Sequence, residues 1–171
     1  MYLSVESINA LSEVIRDFEV AIRTFVAKKL SAAFHSSLDI KNYVAKLSTT
    51  TNQTSIILSS RFNAKVKAFL GKHDDIYKFI NKCALPNSTS EYIPYVSELV
   101  DYITIFYSPY FHDNELSKGY SPIALINNLQ TFVDVRNGIS HPASVNISIE
   151  DARNLISFVE NTLRNLDDYY F

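Results

Sequence analysis

One cysteine, three glycines and five prolines are all that 171 residues hold of the types that staple or turn a chain. A lone thiol, Cys83, closes no intramolecular disulfide and offers no set of thiolate metal ligands, which points to a reducing compartment. So few glycines and prolines argue against a β-sandwich or barrel, which needs turn chemistry about every ten residues. Long apolar runs are missing too: no stretch approaches the roughly eighteen consecutive apolar residues of a membrane-spanning helix. The first residues carry Glu6, Glu13 and Asp17 and no unbroken apolar core, so no secretory signal is expected there. These absences lead to the expectation of a cytoplasmic protein that makes no membrane contact and needs no metal or other cofactor.

What is present is apolar: 47% of residues are hydrophobic and 13% aromatic, enough for one sizeable core and too little chain for two. A single domain over 1–171 is expected. The formal net charge of −2 excludes a uniformly basic nucleic-acid binder, yet it conceals an asymmetry. Residues 1–82 carry 12 Lys/Arg against 7 Asp/Glu, whereas residues 83–171 carry 4 against 11. Arg61, Lys65, Lys67, Lys72, Lys78 and Lys82 fall in one segment opposed only by Asp74 and Asp75. Such a segment either attracts a phosphate backbone or is an ordinary solvated face.

Periodicity indicates helices. Ile8, Leu11, Ile15, Phe18, Ile22, Phe25 and Val26 recur at three- and four-residue steps and predict one long helix from Val5 to Phe34. Residues 47–60 support no single assignment. One or two shorter helices are expected between Arg61 and Ala84 with a break at Gly71. Tyr95, Leu99, Tyr102, Ile103 and Phe106 predict a helix that ends before Pro109, with Glu98 and Asp101 off its stripe. After a loop over 108–120, Ser121-Pro122 reads as cap and first residue of a helix faced by Leu125, Ile126, Leu129, Phe132 and Val133. Asn137-Gly138 and Pro142 are expected to end it. A last helix follows, capped by Ser148 with Asp151 in the capping-box position. The architecture implied is an all-α bundle of four or five helices.

Arg136 is the misfit in this pattern. At about 100° per residue it lies roughly 20° from Leu129, in the apolar stripe of its helix. A guanidinium that keeps its proton must there be paired or face a wet cleft. Asp134, two residues back, points to nearly the opposite side of the helix and is no partner. Arg136 therefore either reaches an acid on another helix or awaits an anion. Five residues on comes His141, so the run Asp134 to Pro142 (DVRNGISHP) joins a permanent cation to a titratable imidazole. Those two groups suffice for metal-independent cleavage of an RNA phosphodiester: the 2′-hydroxyl loses a proton, the 5′-oxygen gains one, and arginine neutralises the charge that gathers on phosphorus.

Arg-Asn, three residues, then His, at the junction of two C-terminal helices, resembles the signature of HEPN domains. The last fifty residues resemble the C-terminal HEPN domain of a class of RNA endonucleases, while the first ninety match only in being mostly helical. The resemblance implies a homodimer in which two such motifs share one cleft, RNA as substrate, and an RNA-processing, toxin-antitoxin or phage-defence setting with an antitoxin or defence-complex protein as further partner. It implies that Arg136 binds the scissile phosphate, that His141 acts as general acid or base, and that Asn137 bonds substrate or holds the loop carrying His141. An acidic or second basic residue from an earlier helix accompanies the motif in some members, and the sequence singles out none here. Asn137 before Gly138 is as well explained as a helix terminator. Arg61, Lys65, Lys67 and Lys72 are the candidate RNA contacts.

Two other readings stay open. One is a catalytically silent HEPN-type module that binds RNA, a nucleotide or a protein. The other is a plain helical interaction domain in which Arg136 pairs with an acid from another helix, such as Glu98 or Asp101. His35, His73 and His112 lack a partner at metal-ligand spacing and read as surface or loop residues. Cys83 reads as a small buried hydrophobe, and Phe106-Tyr107 with Tyr110-Phe111 as packing. Tyr169-Tyr170-Phe171 has no assigned role.

Overall fold

The computed structural model describes residues 4–49, 68–69, 71–83, 96–106, 118–140 and 147–170. Among these, the regular elements are six α-helices: α1 Val5–Ala33, α2 Ser37–Thr49, α3 His73–Cys83, α4 Val96–Ile105, α5 Pro122–Ser140 and α6 Ile149–Tyr170. The chain divides into two compact units, Met1–Ile22 with Asp113–Phe171, and Arg23–His112, so that α1 contributes its first part to one and its second part to the other.

The starts of α1, α2, α5 and α6 are each set by a short polar side chain. Ser4 Oγ accepts the Ser7 amide at 3.2 Å, Ser121 Oγ that of Ala124 at 3.2 Å, and Ser148 Oγ that of Asp151 at 3.1 Å, each satisfying a donor the first turn leaves open. Between α1 and α2 two such contacts interlock: Ser36 Oγ accepts the Asp39 amide, and the Asp39 carboxylate accepts the His35 amide at 3.0 Å. That box breaks at Phe34 what would otherwise continue as one helix. Periodicity alone does not delimit α2, because the signal is a cap and not a change of stripe. Gly71 forms the turn before α3, as expected.

One expected terminator fails. Asn137-Gly138 lies inside α5, which continues to Ser140. A glycine within a helix costs about 1 kcal/mol against alanine without breaking it, whereas Pro142 disfavours helical geometry at the residue before it. Among the described residues the helix runs to Ser140, two positions ahead of Pro142.

In the first unit the core is built on Phe18 of α1, which is fully buried, its ring edge-on to Phe132 of α5 at 4.6 Å and to Phe158 of α6 at 5.7 Å. Leu11, Ile15, Leu125, Leu129, Val133, Leu155 and Val159 complete it. The turn ahead of α5 is tied to α6: Asn165 donates to the Lys118 carbonyl at 3.1 Å, Tyr120 packs on Phe158 at 5.5 Å, and Gly119 takes a φ of 87°, where an L side chain is strained. The second unit has its own aromatic core. Phe34, Tyr43 and Phe106 meet at 5.3–5.6 Å, Phe69 and Phe79 flank Tyr102, and α2 packs on α3. Phe106 is thus the packing residue its sequence context suggested.

Candidate functional site

The C-terminal part of α5 carries the unusual arginine. Leu125, Leu129, Phe132 and Val133 bury one face of the helix, and Arg136 extends that row into a place where a third of its side chain meets solvent. Its Nε donates to Oε1 of Glu19 on α1 at 2.8 Å, with the Glu19 side chain only 15% exposed. A charge-assisted bond of this length, half removed from water, is stronger than an exposed pair and tethers the guanidinium at Nε. Asp134 stays out of it on the outer face, where it accepts from Gln130 at 3.2 Å.

Of the two fates open to Arg136, an acid on another helix is therefore one that is realised. The acid is Glu19 of α1, a residue the sequence reading did not single out. A signal for it existed. On the α1 wheel Glu19 lies roughly 40° from Ile15 and 60° from Ile22, at the edge of the buried stripe. The same test that marks Arg136 as a misfit marks this carboxylate, and two opposite misfits on facing helices invite pairing.

No protein-family model, curated protein or solved structure matches this chain. Its chemistry must be read from its own residues.

Asn137 is exposed on α5, one step round from Arg136 and inside the helix as described. His141, Arg61, Lys65 and Lys67 lie outside the described residues. Lys72 is exposed at the turn into α3, in the second unit, whereas Arg136, Asn137 and Glu19 belong to the first. Its surroundings are not uniformly basic: with Glu98, Asp101, Phe69, Ile76 and Tyr102 it lines a cavity of 70 Å³. The two acids off the α4 stripe are thus half-buried at that cavity and not on an open face.

Of the remaining expected bystanders, His35 and His73 both sit at helix starts. The His35 carbonyl accepts the Tyr77 hydroxyl at 2.8 Å, and His73 Nδ1 lies 3.3 Å from the Asp74 carboxylate. A hydrogen bond from Ser37 holds the Asp74 carboxyl below its ordinary range, with smaller help from the charges of His73, Lys78 and Lys41. Among the described residues no three His, Cys, Asp or Glu side chains come together as a metal-binding group, and no helix is long and apolar enough to cross a membrane.

Proposed function

We propose that this chain is a metal-independent endoribonuclease whose site is built on Arg136, Asn137 and His141. The observation that carries the reading is the placement of Arg136: a cation on the inner face of α5, held in one orientation by Glu19, a third open to solvent, and five residues before an imidazole. Oriented charge is what phosphoryl transfer needs, since stabilising the crowded, negatively charged phosphorus costs least when the donor is already in place. In this reading the ribose 2′-oxygen gives up its proton and attacks phosphorus, the bond to the 5′-oxygen breaks, and that oxygen takes a proton, leaving a 2′,3′-cyclic phosphate and a 5′-hydroxyl. His141 handles one of the two protons. Arg136 faces the phosphate, Glu19 is its positioning residue, and Asn137 bonds substrate. Two copies sharing a cleft around these residues supply the second imidazole, and Arg61, Lys65, Lys67 and Lys72 hold flanking RNA. A toxin or phage-defence role accords with such an activity.

RNA incubated in EDTA with the wild-type protein, Arg136→Ala and His141→Ala tests this. Cleavage to 2′,3′-cyclic ends by the wild type, reduced at least about a hundredfold in both variants, is the expected result; cleavage untouched by either substitution refutes the site.

The Glu19 contact favours a second reading as well. An arginine neutralised by a carboxylate of its own chain is also what a silent helical module requires at a half-buried position. Under that reading the wild type leaves RNA intact, and Arg136→Leu changes only stability.

A further inference from the structure

On the far flank of α1 from Glu19, the first unit carries a groove of 300 Å³ between α1 and α6. Ser7, Ala10, Leu11 and Val14 form one wall, and Ile149, Ala152, Arg153 and Ile156 the other. The spacing is i, i+3, i+4, i+7 on both helices, the pattern that receives the apolar stripe of a third helix. The small residues Ser7, Ala10 and Ala152 let a backbone come close. On the α1 wheel Glu19 lies roughly 130° from the midline of this groove, so an occupant leaves the Arg136 pair untouched.

The charges along the two edges differ. Glu6, Glu13 and Asp17 are exposed and fall within a sector of about 40° that borders Ala10 and Val14. Glu13 and Asp17 stand at i and i+4, where like charges repel. The α6 edge is close to neutral: Arg153 has Glu150 three residues before it, and Arg164 has Glu160 four before it. The α1 edge thus keeps an excess of carboxylate, since only Arg16, three residues after Glu13, stands near its three acids. A second copy of this chain brings the same acidic edge and gains little; a cationic helix relieves it.

We propose that this groove docks an amphipathic helix of a partner protein, with apolar residues at i, i+3 and i+7 in the groove and Lys or Arg along the flank that faces Glu6, Glu13 and Asp17. The site is independent of RNA cleavage and stands or falls separately from it.

The test uses a short synthetic helix with Leu at i, i+3 and i+7 and Lys on one flank, beside the same peptide with Glu in place of Lys, titrated into the whole protein and followed by fluorescence anisotropy. The Lys peptide is expected to bind at least about tenfold more tightly than the Glu peptide at low salt. Ile156→Asp is expected to abolish binding, and Glu13→Gln with Asp17→Gln to remove the preference for Lys, with helical circular dichroism unchanged in both variants. Equal binding of the two peptides, or binding indifferent to Ile156→Asp, overturns the proposal. So does a sedimentation mass that shows a dimer in the wild type and a monomer in Ile156→Asp, since the occupant is then a second copy.

Discussion

Arg136→Leu is the residue-scale experiment with the clearest sign. Leucine suits the stripe, but Glu19, 15% exposed, loses its 2.8 Å donor and keeps its charge. The loss is expected to be about 2 kcal/mol by urea denaturation, between the values for exposed and buried pairs. The double variant Arg136→Leu with Glu19→Leu is expected to recover most of it, because no charge is then stranded; additive losses would show that the two residues are not coupled. Thr162 gives the opposite sign. It is fully buried on α6 with its hydroxyl unpartnered among the described residues, so Thr162→Val removes a desolvated polar atom at nearly constant shape. A gain of about 1 kcal/mol in the same assay is expected. Asp74 concerns acid. Its folded-state value is depressed, mainly by the Ser37 hydrogen bond, so what it adds to stability is present above the unfolded value and disappears as pH falls through the folded one. A carbon-detected titration of Asp74 is expected to move upward in Ser37→Ala; an unmoved midpoint would assign the shift elsewhere.

Caps and stripes act at the scale of the element. Ser121→Ala and Ser148→Ala each delete the acceptor for one first-turn amide and are expected to cost about 1 kcal/mol apiece, seen as early fraying of α5 and α6 in amide exchange. Both caps were legible as serines placed just before a proline or an apolar run. So were α1, α4, α5 and α6, whose stripes repeat at the helical period. The start of α2 was not legible, since the Ser36 and Asp39 box leaves hydrophobic spacing undisturbed. The end of α5 was misplaced because Asn-Gly is a strong turn signal only where helix packing does not outweigh it, and here Leu129, Phe132 and Val133 anchor the helix on the core.

At the scale of the whole molecule, residues 1–82 carry an excess of positive charge and residues 83–171 an excess of negative charge, and in the proposed nuclease reading that asymmetry governs how RNA approaches. With His141→Ala, which the proposed reading makes unable to cleave, RNA affinity is expected to fall with salt at a slope of about −0.7 per phosphate engaged. Lys72→Ala is expected to lessen that slope by about 0.7, one phosphate contact; an unchanged slope would show that Lys72 is held instead by Glu98 and Asp101, which share its cavity. No measurable binding at low salt would favour the plain helical interaction domain. Composition and periodicity sufficed for the class of fold: few turn formers, no long apolar run and repeated helical stripes leave little besides a helical protein. They also marked Arg136 as a charge that must find a partner, because burying an ion is costly whatever the fold. Which partner it finds was decided in three dimensions. Glu19 and Arg136 are 117 residues apart, and only the packing of α1 and α5 around Phe18 and Phe132 brings a carboxylate within 2.8 Å of that guanidinium. Helical periods report which face of an element is buried; they carry no record of what lies across the interface, since that depends on how separate elements dock.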